Sequence, residues 1–278
     1  MAANASTSER TAESTRRWLH TIGTCGTVLA LTILAASMLL RLTSHFGSDG
    51  QVISTLSATL ENTIRMAHRL AASGVGLLAL GAVFLCWARR PLPATVVMPI
   101  TSMVAATIVL AIIGPLTPGY RIAAITIVNV GVGMVLLMAF WWLREAVATP
   151  ALVRKSVEPL LRATIYVFLV HIATGAAASA YEMHGMRGFA LLHLGTALLA
   201  VMFIGASIWA RRREPSLAGW TMATTALLVA QVAFGLVLMW LGTRPVWLAY
   251  LHGMLSPLLA IALVSLATRD RTPPWPSK

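Results

Sequence analysis

The sequence predicts an all-α integral membrane protein whose eight transmembrane helices form two pseudo-repeated four-helix bundles. Three observations carry this. The 278 residues are 58% hydrophobic and only 11% charged, with a mean hydropathy of +0.78, far from the mix of a soluble domain. Apolar runs of about 20 residues, the length that crosses roughly 30 Å of hydrocarbon, recur along the whole chain. No stretch alternates with the period of a strand.

The elements follow in order. Residues 1–20 form a polar tail, rich in Ser, Thr and Arg through position 17, and are expected to be a disordered cytoplasmic segment. A cleaved signal peptide is the rival reading of Arg16, Arg17 and the run behind them. That run is about 20 residues long and has no clear small-residue cleavage site, so an uncleaved first helix is expected. The spans read as 21–41, 64–87, 94–114, 122–143, 160–181, 188–210, 218–241 and 245–267, with basic residues punctuating their ends. The first four make an N-terminal bundle over 21–145. A cytoplasmic linker, 146–158, leads to a C-terminal bundle over 159–270, and 271–278 is a second cytoplasmic tail.

Orientation follows from Lys and Arg. With the N-terminus inside, most of the 21 basic residues fall in cytoplasmic segments, and only Arg41, Arg65, Arg69, Arg121, Arg187 and Arg244 fall outside. The positive-inside rule then puts both termini in the cytoplasm of a cell that carries the protein in its plasma membrane. The formal charge of +12 does not indicate nucleic acid, because the basic residues are scattered between apolar runs. Cys25 and Cys86 lie in or beside apolar segments and offer neither a disulfide framework nor a cysteine metal site.

A weak internal repeat supports two bundles. Aligning the second span with the sixth sets His68 against His193, and aligning the fourth with the eighth sets Asn129 against His252, at shifts of about 125 residues. Arg121 and Arg244 each stand eight residues before the latter pair.

Ionisable residues inside a membrane are costly and generally face a bundle interior, where something pairs with them. On this topology His68, His193 and His252 share one depth, near the outer ends of even-numbered helices. Two imidazoles from separate helices are what a six-coordinate heme iron requires, and four-helix bundles hold such ligands in their cores. Arg187 and Arg244 would stand roughly 9 and 12 Å nearer the outer surface than His193 and His252, at the height of heme propionates. The plainer alternative is a hydrogen bond across a helix interface. For His193 and His252 the matched depth favours ligation by a heme b. For His171, followed by Gly175 and several alanines, interface bonding is expected. His20, His45 and His184 read as interfacial or solvated. Phosphate-loop, HExxH and dinucleotide patterns are absent, and carboxylates are too few inside the spans for an ion pathway.

The chain resembles the heme A synthases over nearly its whole length. The resemblance rests on Leu40-Arg41-Leu42-Thr43-Ser44 closing the first helix, His68-Arg69-Leu70 opening the second, His193-Leu194 in the sixth, and the stretch from Gln231 through Gly235 to Leu251-His252. It implies oxidation of a methyl group of heme O to the formyl group of heme A for cytochrome oxidase assembly. It also implies heme b between His193 and His252, and a substrate site in the N-terminal half with His68 as a catalytic and metal-ligating residue. Heme O synthase and an electron donor are the implied partners besides the bilayer; the oligomeric state is left open. The family carries a glutamate three residues before the first histidine and a second histidine in the fourth helix. Here those positions hold Arg65 and Asn129, and Glu61, a further turn back, is only a partial substitute. Arg65 and Arg69, one turn apart, suit an anionic group such as a propionate. The second reading is therefore a non-catalytic b-type cytochrome or heme-handling subunit that keeps only the C-terminal heme.

Overall fold

The computed structural model describes residues 2–46, 52–89, 92–116, 122–148, 158–182, 188–241 and 245–269. The expected all-α, eight-span architecture is what it shows. The helices are α1 (Ala2–Leu42), α2 (Ala58–Ala88), α3 (Ala94–Ile113), α4 (Ala123–Ala148), α5 (Glu158–Glu182), α6 (Phe189–Arg211), α7 (Ala218–Leu241) and α8 (Val246–Thr268). All eight are long and apolar enough to cross a membrane, so the chain is a multi-pass membrane protein. Among the described residues the other elements are single 3-10 turns at Gly114–Leu116 and Pro215–Leu217 and a short antiparallel hairpin. Its strands β1 (Ser44–Phe46) and β2 (Val52–Ser54) pair Ser44 with Ser54.

Lipid-facing positions explain the composition. Leu191, Leu77 and Trp240 are all largely exposed, which water would penalise and hydrocarbon does not. Chain punctuation fits the ends. The Ser57 hydroxyl accepts from the Leu60 N–H and caps α2, and Pro93 and Pro245 stand immediately before α3 and α8, where a missing N–H costs nothing.

The N-terminal tail differs from expectation: α1 is helical from Ala2. Hydropathy stops near the bilayer edge, but packing continues beyond it. Thr15 and Leu19 are buried, and Glu13 pairs with Arg17 one turn on at 3.0 Å. The Arg16 guanidinium donates to the carbonyls of Val147 and Ala148, at 2.5 and 3.2 Å, where α4 runs out of N–H partners. In the same way α4 continues through Ala148, into the stretch read as linker; residues 149–157 lie outside the described residues.

Neighbouring helices close into two rings. α1 packs on α2 and α4, and α3 on the same two; α5 packs on α6 and α8, and α7 likewise. α4 meets α5 and α8 across the junction, with α1 also touching α8. The α1–α4 approach is close enough that a Cβ on Gly26 would sit 2.1 Å from the Phe140 ring, so only glycine fits there.

The start of α1 and the ends of α4 and α8 lie together, joined by Arg16 and by an Arg269 Nε to Glu145 bond of 2.8 Å. This near end is tightly filled. Leu19, Phe140, Leu143 and Val147 belong to one apolar cluster and Leu161, Leu217 and Leu266 to another. At the far end burial is uneven: Leu40, Ala123, Ala180 and Leu248 are buried there, while α2, α6 and α7 contribute little. Burial begins only at Ala71 in α2 and Thr196 in α6, and in α7 its last described position is Gln231.

Candidate functional site

His68, His193 and His252 all fall at this far end. Ser37 near the end of α1 touches His68, and Met38 beside it would collide, through its sulfur at 2.3 Å, with a Cβ on Gly253. One step of α1 therefore spans from the His68 region to the residue after His252. Pro257 deepens this notch, because it lacks the N–H that would bond the Gly253 carbonyl one turn earlier.

Each of the three rings lies against the helix that precedes it. The Ser37 hydroxyl is 3.3 Å from His68 Nδ1. His193 lies over Gly175 of α5, where a Cβ would come within 2.8 Å of its Cε1, and Thr174 Oγ1 is 3.5 Å from its Nδ1. His252 lies over Gly235 of α7, where a Cβ would come within 3.1 Å of its Cε1. Gln231, one turn before Gly235, places its amide nitrogen 3.1 Å from Ser256 Oγ and 3.5 Å from His252 Nε2. The other amide atom, Oε1, is buried without a hydrogen-bond partner among the described residues.

The ring facing His193 is His171, stacked on it with centroids 4.4 Å apart and planes 9° from parallel. His171 is only 7% exposed, its Nδ1 lies 3.4 Å from Thr196 Oγ1 across the α5–α6 interface, and both His193 and His252 are within electrostatic range of it. The interface hydrogen bond expected of His171 is present, and the stacking adds a contact that spacing did not reveal.

Around His68 the charges are already matched. Arg65 Nε donates to Glu61 Oε1 at 2.9 Å, so the carboxylate closest to His68 in sequence is held by a guanidinium rather than by the histidine. Arg69 is exposed and Asn129 half-buried. Arg41 is buried at this end of α1. His184, Arg187 and Arg244 lie outside the described residues.

A heme fits part of this donor set. Iron takes an imidazole through one nitrogen while the other is oriented by a hydrogen-bonding partner, and Thr174 faces His193 Nδ1 as such a partner would. At His252 the Gln231 amide faces Nε2 itself, so ligation there requires the amide to turn aside toward Ser256. The buried Gln231 oxygen without a partner among the described residues is a polar group that a bound ligand at this end would satisfy. Among the described residues no group of three or more His, Cys, Asp or Glu side chains is arranged to hold a bare metal ion. No family model matches the chain, and no curated protein matches it.

The residues missed by sequence reasoning are Thr174 and Thr196 as partners of the histidines. A usable signal existed: a glycine lies on the helix before both His193 and His252, at positions 175 and 235.

Proposed function

We propose that the chain is a membrane hemoprotein of the heme A synthase type. It holds heme b between His193 and His252 and oxidises a methyl group of heme O to the formyl group of heme A at a second site around His68. The observation that carries the reading is the gathering of His68, His193 and His252 at one end of the helices, each ring seated against the helix before it. When bound, heme supplies the redox centre. The chain's part is to orient the imidazoles through Thr174, Gln231 and Ser37, to exclude water with the apolar walls of the bundle, and to pair propionates with cations at the outer surface. Arg69 is free to do so by position, and Arg187 and Arg244 are assigned the same role from sequence. Heme O synthase and an electron donor are the partners of this reading, and an oxidant from outside the chain must supply the formyl oxygen.

The second reading, a b-type cytochrome without oxidase chemistry, is favoured by one observation. Glu61 is bound to Arg65, so among the described residues of the N-terminal half no carboxylate is poised to handle a proton beside His68. Co-expression with a heme O synthase, in a host lacking its own heme A synthase, separates the two. The enzyme reading predicts heme A in the extracted pigment, lost on His68→Ala. Heme b alone, in wild type and variant alike, would establish the cytochrome.

The same reading sets the protein in the plasma membrane with both termini cytoplasmic. In a protein lacking Cys25 and Cys86, an impermeant thiol reagent should label Thr59→Cys from outside and Arg213→Cys only from the cytoplasm; the reverse pattern would invert the topology. Duplication belongs to it as well. Trp141 Nε1 donates to Ser265 Oγ at 2.7 Å and Arg269 pairs with Glu145, each across 124 residues, close to the offset of the sequence repeat. Contacts between residues at the repeat offset support the duplication.

A further inference from the structure

His171, Thr174, Thr196 and His193 form a closed polar ring across α5 and α6. Thr174 Oγ1 and Thr196 Oγ1 are 2.7 Å apart, Thr196 faces His171 Nδ1 at 3.4 Å and Thr174 faces His193 Nδ1 at 3.5 Å. The stack of the two imidazoles closes the circuit. Each hydroxyl also reaches a backbone carbonyl one turn back, Thr174 to His171 at 2.9 Å and Thr196 to His193 at 3.0 Å.

Proton counting fixes the rings. A hydroxyl has one hydrogen. Whichever threonine donates to the other, the second has its carbonyl at 2.9 or 3.0 Å and its histidine nitrogen only at 3.4 or 3.5 Å, so its hydrogen goes to the carbonyl and both hydrogens are spent within the pair and the backbone. Both oxygens can then only accept from the histidines. His171 and His193 must each carry their proton on Nδ1, leaving a lone pair on Nε2.

We propose that His171, Thr174 and Thr196 are positioning residues for His193. The two threonines hold its Nδ1–H tautomer and the His171 face holds its ring plane, so that Nε2 is presented as a ligand before any heme arrives. This rests on the heme reading above. Gly175 is part of the device, since any side chain there would push the His193 ring off the stack.

Two measurements test it, the first without heme. In purified heme-free protein labelled with ¹⁵N-histidine, the His193 signals should report the neutral Nδ1–H form. Thr174→Val, equal in shape but without the acceptor, should move His193 toward the Nε2–H form. A wild-type His193 already protonated on Nε2, or a Thr174→Val spectrum identical to wild type, would overturn the tautomer assignment. The second uses the heme-loaded protein. Thr174→Val should keep the low-spin ferric signal but shift the midpoint potential positive, because a ligand that loses its Nδ1 hydrogen bond is less basic and stabilises ferric iron less. His171→Ala should displace the largest low-spin g value, and His171→Phe, which restores a flat ring, should return it toward wild type. Unchanged g values and potential in both Thr174→Val and His171→Ala would refute the positioning role. A wild-type protein with the expected tautomer but no low-spin heme would instead refute the heme reading and leave the threonine pair as the interface lock of α5 and α6.

Discussion

Replacing His252 or His193 by Ala should abolish the low-spin bis-imidazole spectrum of the heme-loaded protein, the largest spectroscopic change any single substitution is expected to make. On the proposed reading each would remove one of the two imidazoles that hold the iron, and the described hydrogen-bonding neighbours do not replace it. Gln231 and Thr174 offer only an amide and a hydroxyl, which are weak ligands for heme iron. Among the described residues His171 has suitable chemistry and lies beside His193. Its ring is stacked on His193 and buried, so the low-spin signal should survive His171→Ala, altered only in its g values. An unchanged low-spin spectrum in both His193→Ala and His252→Ala would show that the ligands lie elsewhere.

The largest stability loss should come from Glu145, at the opposite end of the molecule. Its carboxylate is fully buried and bonded to Arg269 of α8 and to Arg144 beside it. Those guanidiniums lie against Trp220 and Trp141, with Arg144 4.3 Å from the Trp141 ring, and the two indoles meet edge to face at 6.1 Å. Removing one partner of such a buried pair leaves uncompensated charge and costs about 3–5 kcal/mol. Here the arginine side chains are 26% and 32% exposed and can partly rehydrate, so Glu145→Ala should fall near the lower limit, about 3 kcal/mol. Thermal unfolding in detergent should show a clear drop in midpoint. Glu145→Gln, which keeps the volume and an acceptor, should lose less. Equal midpoints for wild type and Glu145→Ala would mean that the junction of α4 and α8 rests on its apolar contacts alone.

The spans were legible wherever lipid alone sets the length. α3, α6 and α7 begin and end within a residue or so of the apolar runs at 94–114, 188–210 and 218–241. Hydrocarbon demands a fixed number of turns, and the sequence supplies them. Hydropathy is silent once a helix leaves the bilayer. α1 and α2 extend well past their apolar runs because of Arg16 on the α4 carbonyls and the Glu61–Arg65 pair, which are contacts of geometry rather than composition.

The candidate site divides in the same way. The shared depth of His68, His193 and His252 could be counted from helix ends. The partners could not. That His171 would face His193, or that Gln231 would turn to Ser256 and His252, depends on how α5 rotates against α6 and α7 against α8, and no spacing within one helix carries that information. Glu61 shows the converse. Its distance from His68 suggested a partial substitute for a missing carboxylate, whereas an arginine one turn away captures it first.

The most direct test of the central claim is heme extraction and quantification from the purified wild-type protein, read with its reduced-minus-oxidised spectrum. The account predicts protoheme bound in the C-terminal half with a low-spin b-type spectrum, retained in His68→Ala and lost in His252→Ala. A protein purified from heme-replete membranes that carries no heme, or whose heme is lost with His68 and kept without His252, would contradict it.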